Sequence, residues 1–129
     1  KNVKRALDSS GLIQFSKIPA SQISYGEQRQ LEIAMLLARQ PSVLLLDEPI
    51  AGMSSSESVA VVELIKRLAC DHCVVLIEHD MDAVFAVADI LTVMDNGRVL
   101  ATGLPHEIRK NSEVIKAYLG EETMEPISG

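Results

Sequence analysis

Two continuous apolar runs, separated by a segment of helical periodicity, constrain the fold more than any other feature of this sequence. The runs are Val43–Leu46 and Cys73–Ile77, and neither alternates with polar residues. Such runs are typical of strands covered on both faces, as in a parallel sheet. Between them, residues 54–69 carry apolar side chains at the three- and four-residue spacing of a helix. A strand, a helix and a strand form a right-handed βαβ unit. We therefore predict an α/β fold with a parallel sheet and flanking helices.

Two of the predicted helices begin at the same kind of cap. Ser24 with Glu27, and Ser54 with Glu57, have the Ser-x-x-Glu spacing of a capping box. The first helix is predicted to reach Arg39, and because its second half is apolar nearly all round, we expect that half to be buried. The inner face of the second helix is predicted to consist of Val61, Leu64, Ile65 and Leu68.

A β-hairpin is predicted in the carboxyl-terminal part of the chain. Asn96-Gly97 stands between two apolar runs, which is a strong signal for a tight turn between antiparallel strands, here 90–94 and 99–102. Pro105 is suited to the first turn of a short helix. A last helix is predicted over 112–119, ending at Gly120.

Composition excludes several classes of protein. The chain has 129 residues, 47% apolar and 23% charged, which argues against wholesale disorder. Its net charge of −6 makes it a poor candidate for nucleic-acid binding, so no nucleic-acid partner is expected. Cys70 and Cys73 have the spacing of half a zinc site, but a structural zinc needs four ligands. We expect two reduced thiols in a polar turn, as in a cytosolic protein.

Acidic residues and a histidine follow the two predicted strands. Asp47 and Glu48 end the first strand, and His79 follows the second, so the parallel alignment brings them to one edge of the sheet. We expect Pro49 to keep Glu48 extended, so that the two carboxylates point in different directions. One can orient Mg²⁺ through water while the other polarises a water that attacks a phosphate. The alternative is a pair of solvated acids at a strand end.

The segment 24–28 offers a second site for an anion. A helix N-terminus with a small residue at Gly26 presents free N–H groups and the positive end of the helix dipole. The alternative is a capped helix without a ligand, and the two interpretations are compatible.

Taken in order, these segments resemble the nucleotide-binding domain of an ABC transporter. Ile23–Glu27 resembles the signature motif, Val43–Glu48 the Walker B strand with its catalytic glutamate, Ala51–Ser54 the D-loop, and His79 the switch histidine. The resemblance covers the chain from about Lys1 to Glu122 and implies the carboxyl-terminal half of a P-loop NTPase domain of the ABC type. The order of four motifs makes it specific.

The resemblance implies a role for each matching residue. Glu48 would polarise the attacking water, His79 would contact the γ-phosphate, and Asp47 would hold Mg²⁺ through water. The residues of the signature motif would bind the γ-phosphate of ATP held by the opposite subunit; they are Ser24, Tyr25, Gly26 and Glu27. The D-loop residues would cross the dimer interface; they are Ala51, Gly52, Met53 and Ser54.

Longer segments are similar to the ATP-binding subunits of branched-chain amino acid importers. They are 24–34, 47–53, 77–82 and 117–121. The ATP-binding subunits of urea and short-chain amide importers have closely similar segments, so they remain an alternative. The resemblance implies a second ATPase subunit (identical or different), membrane permease subunits and, indirectly, a solute-binding protein as partners. It also implies a cytoplasmic location, peripheral on the inner face of the membrane.

The sequence departs from the family pattern in three respects. Tyr25 and Glu27 replace the Gly and Gln of the commonest signature, and Ser54 stands where Asp or Asn is usual. In addition, no Gly-x-x-x-x-Gly-Lys-Ser/Thr loop occurs in the sequence, so the lysine that contacts phosphate is missing.

We therefore expect residues 1–122 to be the carboxyl-terminal portion of a nucleotide-binding domain whose other half is absent. Within it, 1–40 would end the helical subdomain with the signature helix, 41–122 would be part of the catalytic core, and 123–129 a flexible tail. We expect negligible ATP hydrolysis by this chain alone, and self-association through an exposed sheet face and edge. Two alternatives are a P-loop-free module that docks on an ABC ATPase and an ABC-type ATPase of DNA repair.

Overall fold

The computed structural model describes residues 1–119, and these divide between two compact units. The first unit is Lys1–Val87, and the second begins at Ala88. The elements of the first unit are the helices α1 (Asn2–Ser9), α2 (Tyr25–Leu37), α3 (Ser55–Leu68) and α4 (Met81–Val87), the strands β1 (Val43–Asp47) and β2 (Cys73–Ile77), and two 3₁₀ turns at Ile13–Phe15 and Ala20–Gln22. The division at 40/41 that the sequence suggested stays a prediction.

The predicted βαβ unit is present. Strands β1 and β2 are parallel, with Val43 opposite Cys73 and Asp47 opposite Ile77. Helix α3 connects them. The register places the last residue of each strand at the same edge of the sheet, as we expected.

The core of the first unit lies between α3, α2 and one face of β1. Helix α3 contributes the four residues predicted for its inner face, and Val61 and Leu64 have no exposed surface. Full burial of one such side chain stabilises the fold by about 1.5–3 kcal/mol. The other buried members of this cluster are Ile33, Leu44, Leu46, Ile50 and Ala83.

One apolar face of the β1–β2 sheet is exposed, as we expected for this chain on its own. Along β1, Leu44 and Leu46 are buried, whereas Val43 and Leu45 are exposed, Leu45 to 72%. The same alternation continues on β2, where Val75 is exposed. Within the described residues, helices pack against only one face of this two-stranded sheet.

The second half of α2 is likewise only partly buried. Ile33 and Ala34 belong to the buried interior, but Met35 is 66% exposed and Leu36 is also exposed. The prediction of burial all round is therefore wrong for this helix. The neighbouring helices α1 and α3 pack against only part of the circumference of α2, so the rest of its apolar surface faces solvent.

Local signals placed the N-termini of α2 and α3 correctly, whereas α2 ends at Leu37, two residues before the predicted Arg39. Both capping boxes are formed, at Ser24 with Glu27 and at Ser54 with Glu57. Helix α1 ends at Ser9, and Gly11 follows the C-cap residue Ser10 with a φ of +72°. There the Gly11 N–H donates to Asp8 O and the Leu12 N–H to Leu7 O, which are the two hydrogen bonds of a Schellman motif.

The second unit contains the predicted hairpin. Strand β3 (Leu91–Asp95) pairs antiparallel with β4 (Arg98–Gly103), with a register shift between Val93 and Met94. Asn96 and Gly97 connect them, both with positive φ. Helices α5 (Pro105–Ile108) and α6 (Ser112–Val114) follow, and a π-helical turn covers Ile115–Leu119. The predicted stop at Gly120 and the tail lie outside the described residues. None of the helices described here is long and apolar enough to cross a membrane.

Candidate functional site

The parallel strands bring Glu48 and His79 together. The Glu48 N–H donates to Ile77 O at 2.8 Å, which extends the sheet pairing by one residue beyond β1. At this edge His79 Nδ1 lies 2.8 Å from Glu48 Oε1. The side chains are 73% and 49% exposed respectively, so a water or a ligand can reach both. The two residues that sequence reasoning placed at the catalytic position are thus in direct contact.

The backbone of Glu48 corrects the sequence prediction. We expected Pro49 to keep it extended, but its φ is +45°, in the left-handed region. A residue other than glycine or asparagine seldom adopts this conformation, and it costs free energy. The Ala51 N–H donates back to Glu48 O at 3.2 Å, so a turn follows the strand directly. The turn, rather than an extended backbone, directs the Glu48 side chain towards His79.

Asp47 faces different surroundings from Glu48. It is exposed at the end of β1 and lines a shallow cleft of about 160 Å³ together with Arg29, Glu32 and Pro49. The expected separation of the two carboxylates is therefore present, although its cause is not the one predicted.

The donor set fits the kind of magnesium site that the resemblance implies. The described residues contain no group of three or more His, Cys, Asp or Glu side chains that could hold a metal ion. Magnesium in phosphoryl-transfer sites takes one or two carboxylates and fills its other positions with water and phosphate, so it needs no such group. Asp47 is a suitable carboxylate for that arrangement.

Glu78 supports the site, a role that sequence reasoning missed. Its Oε1 accepts a hydrogen bond from the Ile50 N–H at 3.2 Å, and its Oε2 accepts one from the His79 N–H, also at 3.2 Å. Asp80 accepts from the Ala83 N–H at 2.9 Å and so holds the first turn of α4. The sequence showed acids on either side of His79, but their partners depend on where the loop at Ile50 runs.

Neighbouring carboxylates favour the charged form of His79. The hydrogen bond that His79 donates to Glu48, the negative charge of Glu48, and the charges of Glu78 and Asp80 together raise the pKa of His79 above its ordinary value of 6.5. The protonated imidazole is a donor at both nitrogens. One nitrogen then remains available for an anion while Nδ1 holds Glu48.

The loop 51–54 lies beside His79. Ala51, Gly52 and Met53 line a cleft of about 240 Å³ together with Glu78 and His79. This cleft brings the predicted D-loop and the predicted switch histidine to one place.

The N-terminus of α2 lies on another side of the same loop. The Tyr25 hydroxyl donates to Ala51 O at 3.3 Å, and the Gly26 N–H donates to Glu57 Oε1 at 3.1 Å. Within the cap itself, Ser24 Oγ accepts from the Glu27 N–H, and the Glu27 carboxylate accepts from the Ser24 N–H. All four predicted signature residues therefore participate in this hydrogen-bonded cluster.

Hydrogen bonds also hold Glu57 in its ionised form. The N–H groups of Ser54 and Gly26 and the Ser54 hydroxyl lower the pKa of the Glu57 carboxyl. Sequence reasoning identified Glu57 only as a capping residue, and no short-range signal connects it with Gly26.

The two cysteines form no site with the other described residues. Cys70 and Cys73 are free and exposed. The half zinc site therefore finds no further ligands in the described part of the chain.

Comparison with known proteins agrees with the motifs. A sequence profile described as "ABC transporter" matches residues 1–51, and one described as "Branched-chain amino acid ATP-binding cassette transporter" matches residues 98–123. The "High-affinity branched-chain amino acid transport ATP-binding protein LivG" of Salmonella typhimurium is 45% identical over 117 residues, which are 89% of this chain and 46% of that protein. The corresponding protein BraF of Pseudomonas aeruginosa is 44% identical over the same share of each chain.

The fold agrees as well. The ADP conformation of MJ1267, an ATP-binding cassette of an ABC transporter, superposes with a TM-score of 0.81 at 27% identity, covering 92% of this chain and 49% of that one. This chain therefore spans about half the length of the curated relatives it matches. These similarities confirm the resemblance and the α/β fold class inferred from the sequence.

Proposed function

Since this chain belongs to the ATP-binding domains of ABC transporters, we propose that it is the carboxyl-terminal half of a subunit that hydrolyses ATP to import branched-chain amino acids. The observation that carries the catalytic part is the contact of 2.8 Å between His79 Nδ1 and Glu48 Oε1 at the carboxyl ends of two parallel strands. The names of the relatives LivG and BraF support the proposal that the imported solutes are branched-chain amino acids.

In this proposal Glu48 is the base and His79 orients it. An ionised carboxylate that is half exposed can accept a hydrogen bond from water and, as the reaction proceeds, its proton. The contact with His79 restricts Glu48 to one orientation, which is the kind of positioning on which phosphoryl transfer depends. The second ring nitrogen of His79 is free to donate to a terminal phosphate oxygen.

ATP supplies the phosphoryl group when it is bound, and Mg²⁺ neutralises charge on its phosphates. Asp47 would hold the ion through water. Asp47 and Glu48 face different surroundings, which allows one carboxylate to bind the ion while the other handles a proton.

The N-terminus of α2 is proposed to bind the γ-phosphate of ATP held by a second subunit. Its groups already have partners within this chain, because Ser24 Oγ accepts from the Glu27 N–H and the Gly26 N–H donates to Glu57. Ser24 retains a hydroxyl proton that it can donate to phosphate. Gly26 already holds one anion, a carboxylate oxygen, which is the type of group that a helix N-terminus attracts.

The proposed partners follow from the same family. They are a second ATPase subunit, identical or different, and the permease subunits of the membrane, with a solute-binding protein acting indirectly. The proposed location is the cytoplasmic face of the membrane.

A chimera tests the proposal. The matched segment of Salmonella typhimurium LivG is replaced by the corresponding residues of this chain, and the hybrid is expressed in a strain lacking its own LivG. We expect magnesium-dependent ATP hydrolysis and restored uptake of branched-chain amino acids. Glu48→Gln should abolish both, because the amide cannot accept the proton of water.

The matched control is Glu63→Gln. Glu63 is an exposed glutamate on α3 that pairs with Lys66 at 2.9 Å, away from the strand ends, so this variant should retain activity. ATP hydrolysis without uptake of branched-chain amino acids would contradict the proposed solute class. Hydrolysis that survives Glu48→Gln would contradict the catalytic role.

A further inference from the structure

Two hydrogen bonds join the N-terminus of α2 to the segment that begins α3, although the partners lie 26 and 31 residues apart in the chain. In one, the Tyr25 hydroxyl donates to Ala51 O, and in the other the Gly26 N–H donates to Glu57 Oε1. Both partners on the α3 side belong to loop 51–54 or to the first turn that follows it. The contacts therefore connect the predicted signature motif with the predicted D-loop of the same chain.

Glu57 closes the N-termini of two helices at once. While Oε1 accepts from Gly26, Oε2 accepts from the Ser54 N–H at 3.1 Å and from the Ser54 hydroxyl at 3.0 Å. The approach is close, because a Cβ atom added to Gly26 would lie 3.0 Å from Glu57 Cβ. Only glycine lets α2 come near enough for this contact without displacing Glu57.

Tyr25 is itself held in place. The Arg29 guanidinium donates to the Tyr25 hydroxyl at 2.8 Å and lies 5.2 Å from the ring centroid. Since Arg29 can only donate, the tyrosine oxygen accepts from it and its own proton is directed to Ala51 O. The ring lies against Gly52, with Cε1 3.8 Å from where a Cβ would stand. The commonest signature has glycine at the position of Tyr25, and glycine offers neither contact.

We propose that Tyr25 and Glu57 are positioning residues that fasten loop 51–54 to the N-terminus of α2, so that the two segments keep one fixed relative position. The purpose of this junction rests on the proposed function, in which both segments face the opposite subunit and its nucleotide. Because the two hydrogen bonds join them, loop 51–54 and the N-terminus of α2 contact the opposite subunit as one rigid unit. A displacement of either segment then also displaces the other.

The first test removes the tyrosine hydroxyl. Hydrogen exchange is measured residue by residue on the 129-residue chain, without nucleotide. A hydrogen bond of ordinary strength corresponds to a change of about threefold to tenfold in an equilibrium. We therefore expect Tyr25→Phe to speed exchange at the amides of 51–54 by that factor. Tyr118→Phe is the matched control, because the Tyr118 hydroxyl donates to Met94 O and should not affect this loop.

The second test removes the carboxylate from the other side. Glu57→Ala should speed exchange at the Gly26 amide by about tenfold or more, since a donor to a charged acceptor loses its partner. Glu57→Gln keeps an oxygen that accepts from Gly26 and should recover part of the protection. A residue that merely capped α3 would change exchange at 54–57 and leave Gly26 unaffected. Glu63→Gln, on the same helix, is the control that should change neither.

Each outcome bears on the proposal. Unchanged exchange at Gly26 in Glu57→Ala would overturn the role of Glu57, and exchange at 51–54 no faster in Tyr25→Phe than in Tyr118→Phe would overturn that of Tyr25. These measurements need no ATP. A LivG chimera that fails to hydrolyse ATP while the exchange results hold would count against the proposed function alone.

Discussion

His79 Nδ1 lies 2.8 Å from Glu48 Oε1, across 31 residues of sequence, at the point where two parallel strands end. The contact forms because β1 and β2 pair in parallel and in register, Asp47 opposite Ile77, so the residues that follow each strand emerge side by side. Two residues that are far apart in the sequence, and that have no distinguishing local motif, are thereby brought into hydrogen-bonding contact.

We expect this pair to make stability depend on pH. The folded-state pKa of His79 is raised above the ordinary 6.5, so its stabilising effect is fully present below 6.5 and is lost as pH rises through the folded-state value. His79→Gln should therefore flatten the dependence of the free energy of unfolding on pH above 6.5. Urea unfolding across that range measures the effect. His106→Gln is the control, since His106 forms no ion pair with another residue of the described chain, and an equal effect of both variants would contradict the prediction.

The positive φ of Glu48 predicts an inverted preference between glycine and alanine. Glu48→Gly and Glu48→Ala both remove the carboxylate, but only glycine adopts a φ of +45° without strain. We expect the glycine variant to have a free energy of unfolding about 1 kcal/mol higher than the alanine variant. At Asp47, within β1, the usual order should hold and glycine should be the less stable by about 0.5–1 kcal/mol. Urea unfolding of all four variants measures the difference. If glycine and alanine rank in the same order at both positions, the backbone of Glu48 is not strained.

The exposed apolar face of the β1–β2 sheet predicts self-association. Leu45 and Val75 are paired neighbours on this face, and both are exposed. In light scattering, we expect a mass above the 14.0 kDa of one chain, and Leu45→Lys should lower it towards that value. Val59→Lys changes an exposed apolar residue on α3 and should have a smaller effect. A monodisperse chain of 14.0 kDa before any substitution would disprove the prediction.

The hairpin of the second unit depends on its turn. Gly97 has a φ of +74°, and a Cβ there would meet no atom within 4 Å, so Gly97→Ala carries a conformational cost without a clash. We expect a loss of about 1 kcal/mol, seen as faster hydrogen exchange along β3 and β4. Asn96→Gly should keep the turn, because glycine also adopts the φ of +48° found at Asn96. Equal protection in Gly97→Ala and the unsubstituted chain would show that the turn does not limit opening.

Much of the candidate site could be predicted from the sequence because its signals are short in range. The capping boxes at Ser24 and Ser54 each need only a glutamate three residues further on, and both formed. The edge that Glu48 and His79 share follows from the βαβ rule, which needs only the order of elements. The roles of these residues towards nucleotide remain proposals.

Other features depended on packing that no local pattern specifies. The apolar second half of α2 predicted burial all round, yet Met35 is exposed because the neighbouring helices α1 and α3 pack on only part of its surface. The residue before a proline favours extended backbone, yet the turn at Ala51 holds Glu48 in the left-handed region.

By itself, then, the sequence determined the order of elements, their caps and the edge at which the acidic residues and His79 gather, because hydrophobic periodicity and i,i+3 hydrogen bonds act within one turn or strand. Only the tertiary structure decided the conformation of Glu48 and the junction of Tyr25 and Gly26 with Ala51 and Glu57. Those contacts join residues far apart in the chain, and their distances are set by how α2, α3 and the sheet pack together.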